Sequence, residues 1–428
     1  MKDLLDLHIA FLQTAGVETD SRRELTDKLF FALKGENFDG NDFAETALAK
    51  GARLVVTSRW SLAKKKGVKV VKDPLKTLQG LARFHRRYLG IPIVAITGSN
   101  GKTTTKELVA SVLSQKYTVA FTAGNLNNHI GVPLTLLRMD KQTQMGIVEM
   151  GANHQREIAN LCQIAEPDYG YITNFGKAHL EGFGGFQGVI KGKSELYDDL
   201  RSREKLIFIN QDDPLQVKQS HGGRCYSFGT HKKADTQVQL LSLNPFARVQ
   251  VEGMEIRSHL MGDYNAKNIT AAVGIGVYFG VPWSEIKAAI EAYVPANNRS
   301  QILERGGYKI ILDAYNANPT SMSLSIANFE RFPASHRIAI LGDMFEVGAT
   351  ALLEHQHIVE QLETSAIDQA LLCGETFYKT KPQSDKIRCF RTYKELASAW
   401  HQVELKTESV LLIKGSRGMQ MERVLDML

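Results

Sequence analysis

Apolar and polar positions follow two rhythms along this chain. Short apolar runs recur at 91–96 (IPIVAI), 145–150 (MGIVEM), 169–174 (YGYITN) and 205–210 (KLIFIN). Their length and their bounding glycine, asparagine and charged residues predict buried strands. Between them, apolar residues return every three or four positions and predict helices at about 102–116, 187–200 and 265–280. Such alternation argues for a mostly parallel sheet with helices on both faces. After YVPANNRSQ the rhythm restarts with KIILDA, RIAILGD, ALLCGE and SVLLIKG, which predicts a second, smaller α/β unit. Near the N-terminus, LFFALKGENFDGNDFAETALAKGARLVVTS reads as a strand, a glycine-punctuated turn, a helix and a second strand. The stretch PLKTLQGLARFHRRYLG sets Leu75, Leu78, Leu81 and Tyr88 at helical spacing and predicts a linking helix. The expected fold is α/β in three domains, 1–85, 86–296 and 297–428, without internal repeats or low-complexity segments.

Composition narrows the class. A chain of 428 residues exceeds one ordinary domain, and 43% hydrophobic with 23% charged residues is normal for a globular protein. The net charge of +6 suits anionic small substrates. No basic block exceeds Lys64, Lys65 and Lys66, a run that reads as a solvated face, so no nucleic-acid partner is expected. Cys162, Cys225, Cys373 and Cys389 are scattered with no C-x-x-C pair, which argues against a disulfide or zinc framework and for a reducing cytosol. MKDLLDLHIAFLQTAG carries acids through its apolar stretch and does not read as a signal peptide, and no apolar run is long enough to span a membrane. A cytoplasmic location is expected.

The first chemical candidate is TGSNGKTTT at 97–105. The general phosphate loop is G-x-x-x-x-G-K-[ST], but the position five before Gly101 is Ile96, and the available glycine is Gly98. The loop still joins a predicted strand to a predicted helix, the context in which backbone N–H groups and the helix dipole bind phosphate. Lys102 would then reach the β- and γ-phosphates and the Thr103 hydroxyl a magnesium ion. A plain glycine turn is the alternative. Glu149 ends a predicted strand, where ligands of open α/β sheets bind, and suits metal ligation or an exposed strand end. His179 follows another strand and is either structural or a ligand. Lys193 lies four residues after Val189, on the face marked by Val189, Leu196, Tyr197 and Leu200. It either snorkels or sits desolvated, with a lowered pKa and an amine able to take up carbon dioxide as a carbamate. Asn265 and Asn268 share a helical face that could cap the helix or grip a base or ribose. Arg299 could meet a transferring phosphoryl group when domains close, and Asp313 follows a strand as a ribose-binding acid would.

Taken together these stretches resemble the Mur ligase family, ATP-dependent enzymes that form the amide bonds of the peptidoglycan precursor. TGSNGKTTTK resembles that family's phosphate loop, compressed spacing included. GNLNNHIGVPLTLLRM, VEMGANHQREI, NFGKAHLEGFG and LDAYNANPTSMSLSIANF resemble the members that add D-alanyl-D-alanine. TDSRRELTDKLFFALKGENFDGNDF is similar to their first domain, and LGDMFEVG and LIKGSRGMQMERV to their last. The resemblance implies a first domain for the UDP end of a nucleotide-sugar peptide, a central P-loop domain for ATP and metal, and a Rossmann-like last domain closing on ATP and the dipeptide. It implies ligation of D-Ala-D-Ala to UDP-N-acetylmuramoyl-tripeptide through an acyl phosphate, by a monomer. Residues 98–104 (Gly98, Ser99, Asn100, Gly101, Lys102, Thr103 and Thr104), with Asn268, Arg299 and Asp313, would hold ATP. Thr103 would meet one Mg²⁺, and Glu149, His179 and a carbamylated Lys193 a second. Thr19, Ser21 and Arg22 fall in the stretch that would meet the uridine nucleotide. Asn127, Asn128, Tyr315, Asn316 and Asn318 fall in the stretches that would meet substrate. Two departures stand out: Asn41 where the family often has histidine after Asp-Gly, and PANNRSQ where glycine is common before the arginine. Rival readings are another ligase of the superfamily, folylpolyglutamate synthase, or a nucleotide-binding protein without catalysis.

Overall fold

The computed structural model describes residues 2–296 and 298–428. The expected domain boundary at Asn297 lies outside the described residues.

The first sheet is parallel and has four strands in chain order, Val17–Glu18, Leu29–Phe31, Leu54–Thr57 and Val68–Val70. Two strands were expected; the outer pair are two and three residues long and partly exposed, too short to leave an apolar run. Asn41 is buried here as a turn clamp. Its Oδ1 accepts from Thr57 Oγ1 at 2.6 Å and from the Ser58 amide at 2.9 Å, while its Nδ2 donates to Asp39 at 2.7 Å.

The linking helix forms at Pro74–Leu89, started by the Asp73 carboxylate accepting from the Lys76 amide and stopped by Gly90 at φ 64°. Its buried face runs through Leu78, Leu81, Ala82, His85 and Arg86. Tyr88, expected on that face, is exposed, because Arg86 turns inward to donate to the carbonyl of Ala165 (3.0 Å) and to Asp168 (2.7 Å).

The central sheet has seven parallel strands in the order Thr236–Gln237, Arg224–Gly229, Leu206–Asn210, Tyr169–Ile172, Ile93–Thr97, Met145–Glu149 and Val119–Phe121. Side chains alternate between two cores: Ile93, Ala95 and Val148 face one way, Val94, Ile96 and Ile147 the other. The strands that follow Ile93–Thr97 in the chain are added first on one side of it and then on the other, a switch that opens a crevice beyond its C-terminal end. The predicted helices appear as Lys102–Leu113, Phe186–Ser202 and Asp263–Tyr278. A three-stranded antiparallel sheet (Gln239–Ser242, Arg248–Val251, Met254–Arg257) was not expected. Its period-two signal is present, with Val249, Val251 and Ile256 buried between outward polar residues, but it is short and highly polar.

The last sheet has the order Gln301–Arg305, Tyr308–Asp313, Ser409–Lys414, His336–Gly342, Gln369–Cys373 and Ile387–Phe390, parallel except for its first strand. It too divides its side chains between two cores, Ile311, Ala339 and Leu412 against Ile310, Ile338 and Leu411.

Candidate functional site

The loop between Ile93–Thr97 and Lys102–Leu113 is shaped by two glycines that nothing larger could replace. Gly98 has φ 141°, and a Cβ there would lie 1.9 Å from Thr173 Oγ1; Gly101 has φ 77°, and a Cβ would lie 2.7 Å from Asn268 Oδ1. The loop is stitched to the end of the neighbouring strand. The Asn100 amide donates to Asn174 Oδ1 (3.1 Å), Thr173 Oγ1 donates to the Asn100 carbonyl (2.6 Å), and Ser99 Oγ to the Gly176 carbonyl (2.9 Å). Lys102 curls over the loop, its Nζ donating to the carbonyls of Gly98 (2.7 Å) and Ser99 (3.2 Å). Burial lowers its pKa, and Arg299 lowers it further, while Glu149 acts in the opposite sense. Thr103 is buried in the first helical turn.

A cavity of about 850 Å³ opens over this loop, with walls from the central and last domains. Of the sequence-predicted site residues, all line it except Gly98, Lys193, Thr19, Ser21 and Arg22. Thr19, Ser21 and Arg22 lie in the turn after Val17–Glu18, where Arg22 pairs with Asp20 (2.7 Å) and the Ser21 carbonyl accepts from Lys50 (2.8 Å). They are carried by a different sheet from the one that builds the phosphate loop.

Glu149 is buried at the end of its strand. Its Oε1 accepts from Asn127 Nδ2 at 2.7 Å, and its Oε2 has no hydrogen-bond partner among the described residues. The Nζ of Lys106, equally buried and also without a hydrogen bond, stands 3.9 Å from that oxygen. Lys193 is fully buried, donates to the Ala152 carbonyl at 3.0 Å and stands 5.0 Å from the Phe183 ring centre. Burial drives its pKa well below the ordinary lysine value, with Lys102 adding to the effect. Ala152 lines the cavity, so the amine lies one residue behind the wall. His179 stands at the seam, Nδ1 against the carboxylate of Glu346 from the last domain. Among the described residues no cluster of three or more histidine, cysteine, aspartate or glutamate side chains is arranged to hold a metal. The residues at hand are Glu149 with its orphaned oxygen, His179, the Thr103 hydroxyl and a lysine that could become an acid. An oxygen-seeking divalent ion fits that donor set.

On the opposite wall the Arg299 guanidinium lies 3.5 Å from the centre of the Tyr315 ring. Asp313 accepts from the Ser300 amide (3.1 Å), from Ser325 (3.0 Å) and from Lys414 (2.6 Å). Asn318 caps the helix Pro319–Glu330 and donates across the seam to Asn100 at 2.7 Å. Asn268 has its polar atoms committed to neighbours, Oδ1 accepting from Thr105 (3.1 Å) and Nδ2 donating to Asn265 (3.0 Å), so it wedges its helix against the phosphate loop. Lys106 and Lys414 were missed. Lys414 ends an apolar strand just as Glu149 does, and Lys106 stands four positions from Lys102, so each carried a signal already used for another residue.

With this geometry in place, the comparisons with known proteins are specific. Family models for the Mur ligase family catalytic domain, the Mur ligase middle domain and the Mur ligase glutamate ligase domain match residues 13–86, 96–276 and 298–417. The UDP-N-acetylmuramoyl-tripeptide–D-alanyl-D-alanine ligase of Bacillus subtilis is 33% identical over 96% of this chain and 92% of its own length. A crystal structure of MurF from Acinetobacter baumannii superposes with a TM-score of 0.89 at 28% identity, covering 99% of this chain and 98% of that one. MurF of Thermotoga maritima in complex with ADP gives 0.84 at 28% identity, covering 100% and 98%. The chain belongs to the Mur ligase family.

Proposed function

We infer that this chain is the ATP-dependent ligase that joins D-alanyl-D-alanine to UDP-N-acetylmuramoyl-tripeptide. The observation that carries the reading is the cavity itself. A phosphate loop with its lysine and an underused buried carboxylate form one wall, and Arg299 and the turn carrying Tyr315, Asn316 and Asn318 face them from another domain. Relatives of that name match along nearly the whole chain, and one MurF was crystallised with ADP. We further propose the domain limits 1–85, 86–296 and 297–428, a monomer, and a cytoplasmic site of action. Among the described residues no helix is long and apolar enough to cross a membrane.

Two anions must meet for this chemistry, and a carboxylate is a poor electrophile. A carboxylate oxygen of the tripeptide attacks the γ-phosphorus of ATP, the bond to the β-γ bridging oxygen breaks, and ADP leaves with the electron pair. The neutral amine of D-Ala-D-Ala then attacks the acyl carbon. The tetrahedral intermediate expels phosphate and the new amide nitrogen gives up a proton. Lys102 and Arg299 neutralise charge on the phosphoryl oxygens as it moves, the principal demand of phosphoryl transfer. Asn268 and Asp313 flank the nucleoside, Asn127, Asn128, Tyr315, Asn316 and Asn318 the peptide substrates, and Ser21 and Arg22 the uridine end. Mg²⁺ would be held by Thr103 and, at a second site, by Glu149, His179 and Lys193, where it would supply Lewis-acid charge withdrawal. Lys193 serves there as a carbamate: its neutral amine adds to carbon dioxide, forming a C–N bond and releasing one proton. The depressed pKa supports this by favouring the neutral amine.

The test is phosphate release from ATP with UDP-N-acetylmuramoyl-tripeptide, with and without D-Ala-D-Ala, beside a folate-plus-glutamate control. Release that needs tripeptide and dipeptide together is expected. Release with the folate pair alone would reassign the member, and none under any condition would overturn the ligase reading.

A further inference from the structure

The motif LGDMFEVG carries two acids that the reaction above does not use, Asp343 and Glu346. Glu346 belongs to the last domain, yet its carboxylate meets Nδ1 of His179 in the central one. The two turns dock through backbone as well. The Glu181 amide faces the Glu346 carbonyl at 3.4 Å, and a Cβ on Gly348 would lie 3.2 Å from Glu181 Cβ. His179 and Glu346 both adopt left-handed backbone, φ 52° and 60°, a conformation that costs energy in non-glycine residues and is held here by the docked turns. Nε2 of His179 makes no hydrogen bond among the described residues, and His179 lines the cavity. A neutral imidazole donates from one nitrogen and accepts at the other, so an acceptor on Nδ1 places the lone pair on Nε2.

We propose that Glu346 is a positioning residue that fixes the Nδ1–H tautomer and ring orientation of His179, so that Nε2 is presented to the cavity only when the last domain is docked. This rests on the reading of His179 as a cation ligand. The role is that of the carboxylates that orient ligating histidines in metal sites, but here the carboxylate comes from a separate domain. Docking therefore completes the ligand as well as covering the nucleotide. Lys177, two residues earlier, makes a parallel contact with Glu354 of the last domain at 2.7 Å, which tethers the seam without touching His179.

The experiment uses the ligand-free full chain with ¹³C,¹⁵N-labelled histidine, with His179 side-chain resonances assigned by their loss in H179N. In the wild type His179 is expected as the Nδ1–H tautomer. In E346A it shifts towards Nε2–H or an even mixture, E346D restores it, and E354Q leaves it unchanged. In turnover, E346A lowers kcat by about ten- to a hundredfold, the usual cost of losing such a carboxylate, with little change in KM for ATP. An unchanged tautomer in E346A, or an equal shift in E354Q, overturns the proposal while leaving the His179 reading intact. Full ligase activity in H179N overturns the reading beneath it, and the proposal with it.

Discussion

The two seams of this molecule are built of opposite materials. Between the first and central domains, one apolar core runs without interruption: Leu7, Phe11, Leu29 and Phe31 pack with Leu78 and Leu81 of the linking helix and on to Ile93, Ala95 and Val148 of the central sheet. Between the central and last domains the described contacts are mainly polar and half-exposed: Asn100 with Asn318, the Lys177 amide with Thr320, Lys177 with Glu354, His179 with Glu346. The cores of the last sheet remain almost wholly its own. Apolar burial is worth about 1.5–3 kcal/mol per large side chain, whereas an exposed ion pair contributes about 0–1. The first seam is a fixed joint. The second can part at little cost, and the cavity lies on it.

The contrast can be tested from its largest effect downwards. Lys193 sits on the buried side of the cavity, behind its wall. Lys193→Ala should lower kcat by about a thousandfold, several kcal/mol of lost charge stabilisation, with partial recovery when formate or acetate is added. Full activity without additive would remove the carbamate. In the fixed joint, Leu81→Ala should cost about 3 kcal/mol and lower the urea midpoint of the first and central domains together. Two separate transitions in that variant would break the idea of a shared core.

The same joint should be acid-sensitive. His8 and His85 are buried there, Nε2 to Nδ1 at 3.0 Å, among Phe11, Phe84 and Tyr88. Burial, and secondarily His85, lowers the His8 pKa from 6.5 to about 4, and burial lowers that of His85 as well. Between those values the unfolded chain binds a proton that the folded chain refuses. Stability is therefore full above pH 6.5 and lost as pH falls towards 4, by up to about 3 kcal/mol for His8. Urea midpoints at pH 7.5 and 4.5 should differ accordingly, and a flat profile would count against it. Smallest is the polar seam: Asn318→Ala should cost about 1 kcal/mol, the loss of its helix cap, with nothing beyond that from the seam, and raise KM for ATP about two- to tenfold, one hydrogen bond's worth. A large loss of stability there would mean that the second seam is also a joint.

The sequence was most informative where one local pattern implied one position. Apolar runs placed the central strands within about two residues, and the glycine–lysine–threonine junction stood where strand gives way to helix. Lys193 was readable because helical spacing put a cation on an apolar face, and it is fully buried. Spacing could not say which of two long polar residues turns inward, so Tyr88 was expected where Arg86 lies. Nor could it show that Asn268 would be committed to Thr105, or that Glu346 would cross a seam to His179 from 167 positions away. Those depend on how sheets come together, which no window along the chain contains.

The placement of Arg299 has a mechanical consequence. Arg299 stands on the crossing from the helix Trp283–Ala292 to the last sheet, whose edge strand Gln301–Arg305 begins two residues after it. A point beside the axis of a swing travels little however wide the swing, while points far along the arm travel far. If the last domain pivots at that crossing, Asn318 and Glu346 sweep large arcs and lose their partners, but the arginine stays close to its place. The cation would already be waiting when nucleotide arrives, and the arm's outer parts would do the gripping and releasing.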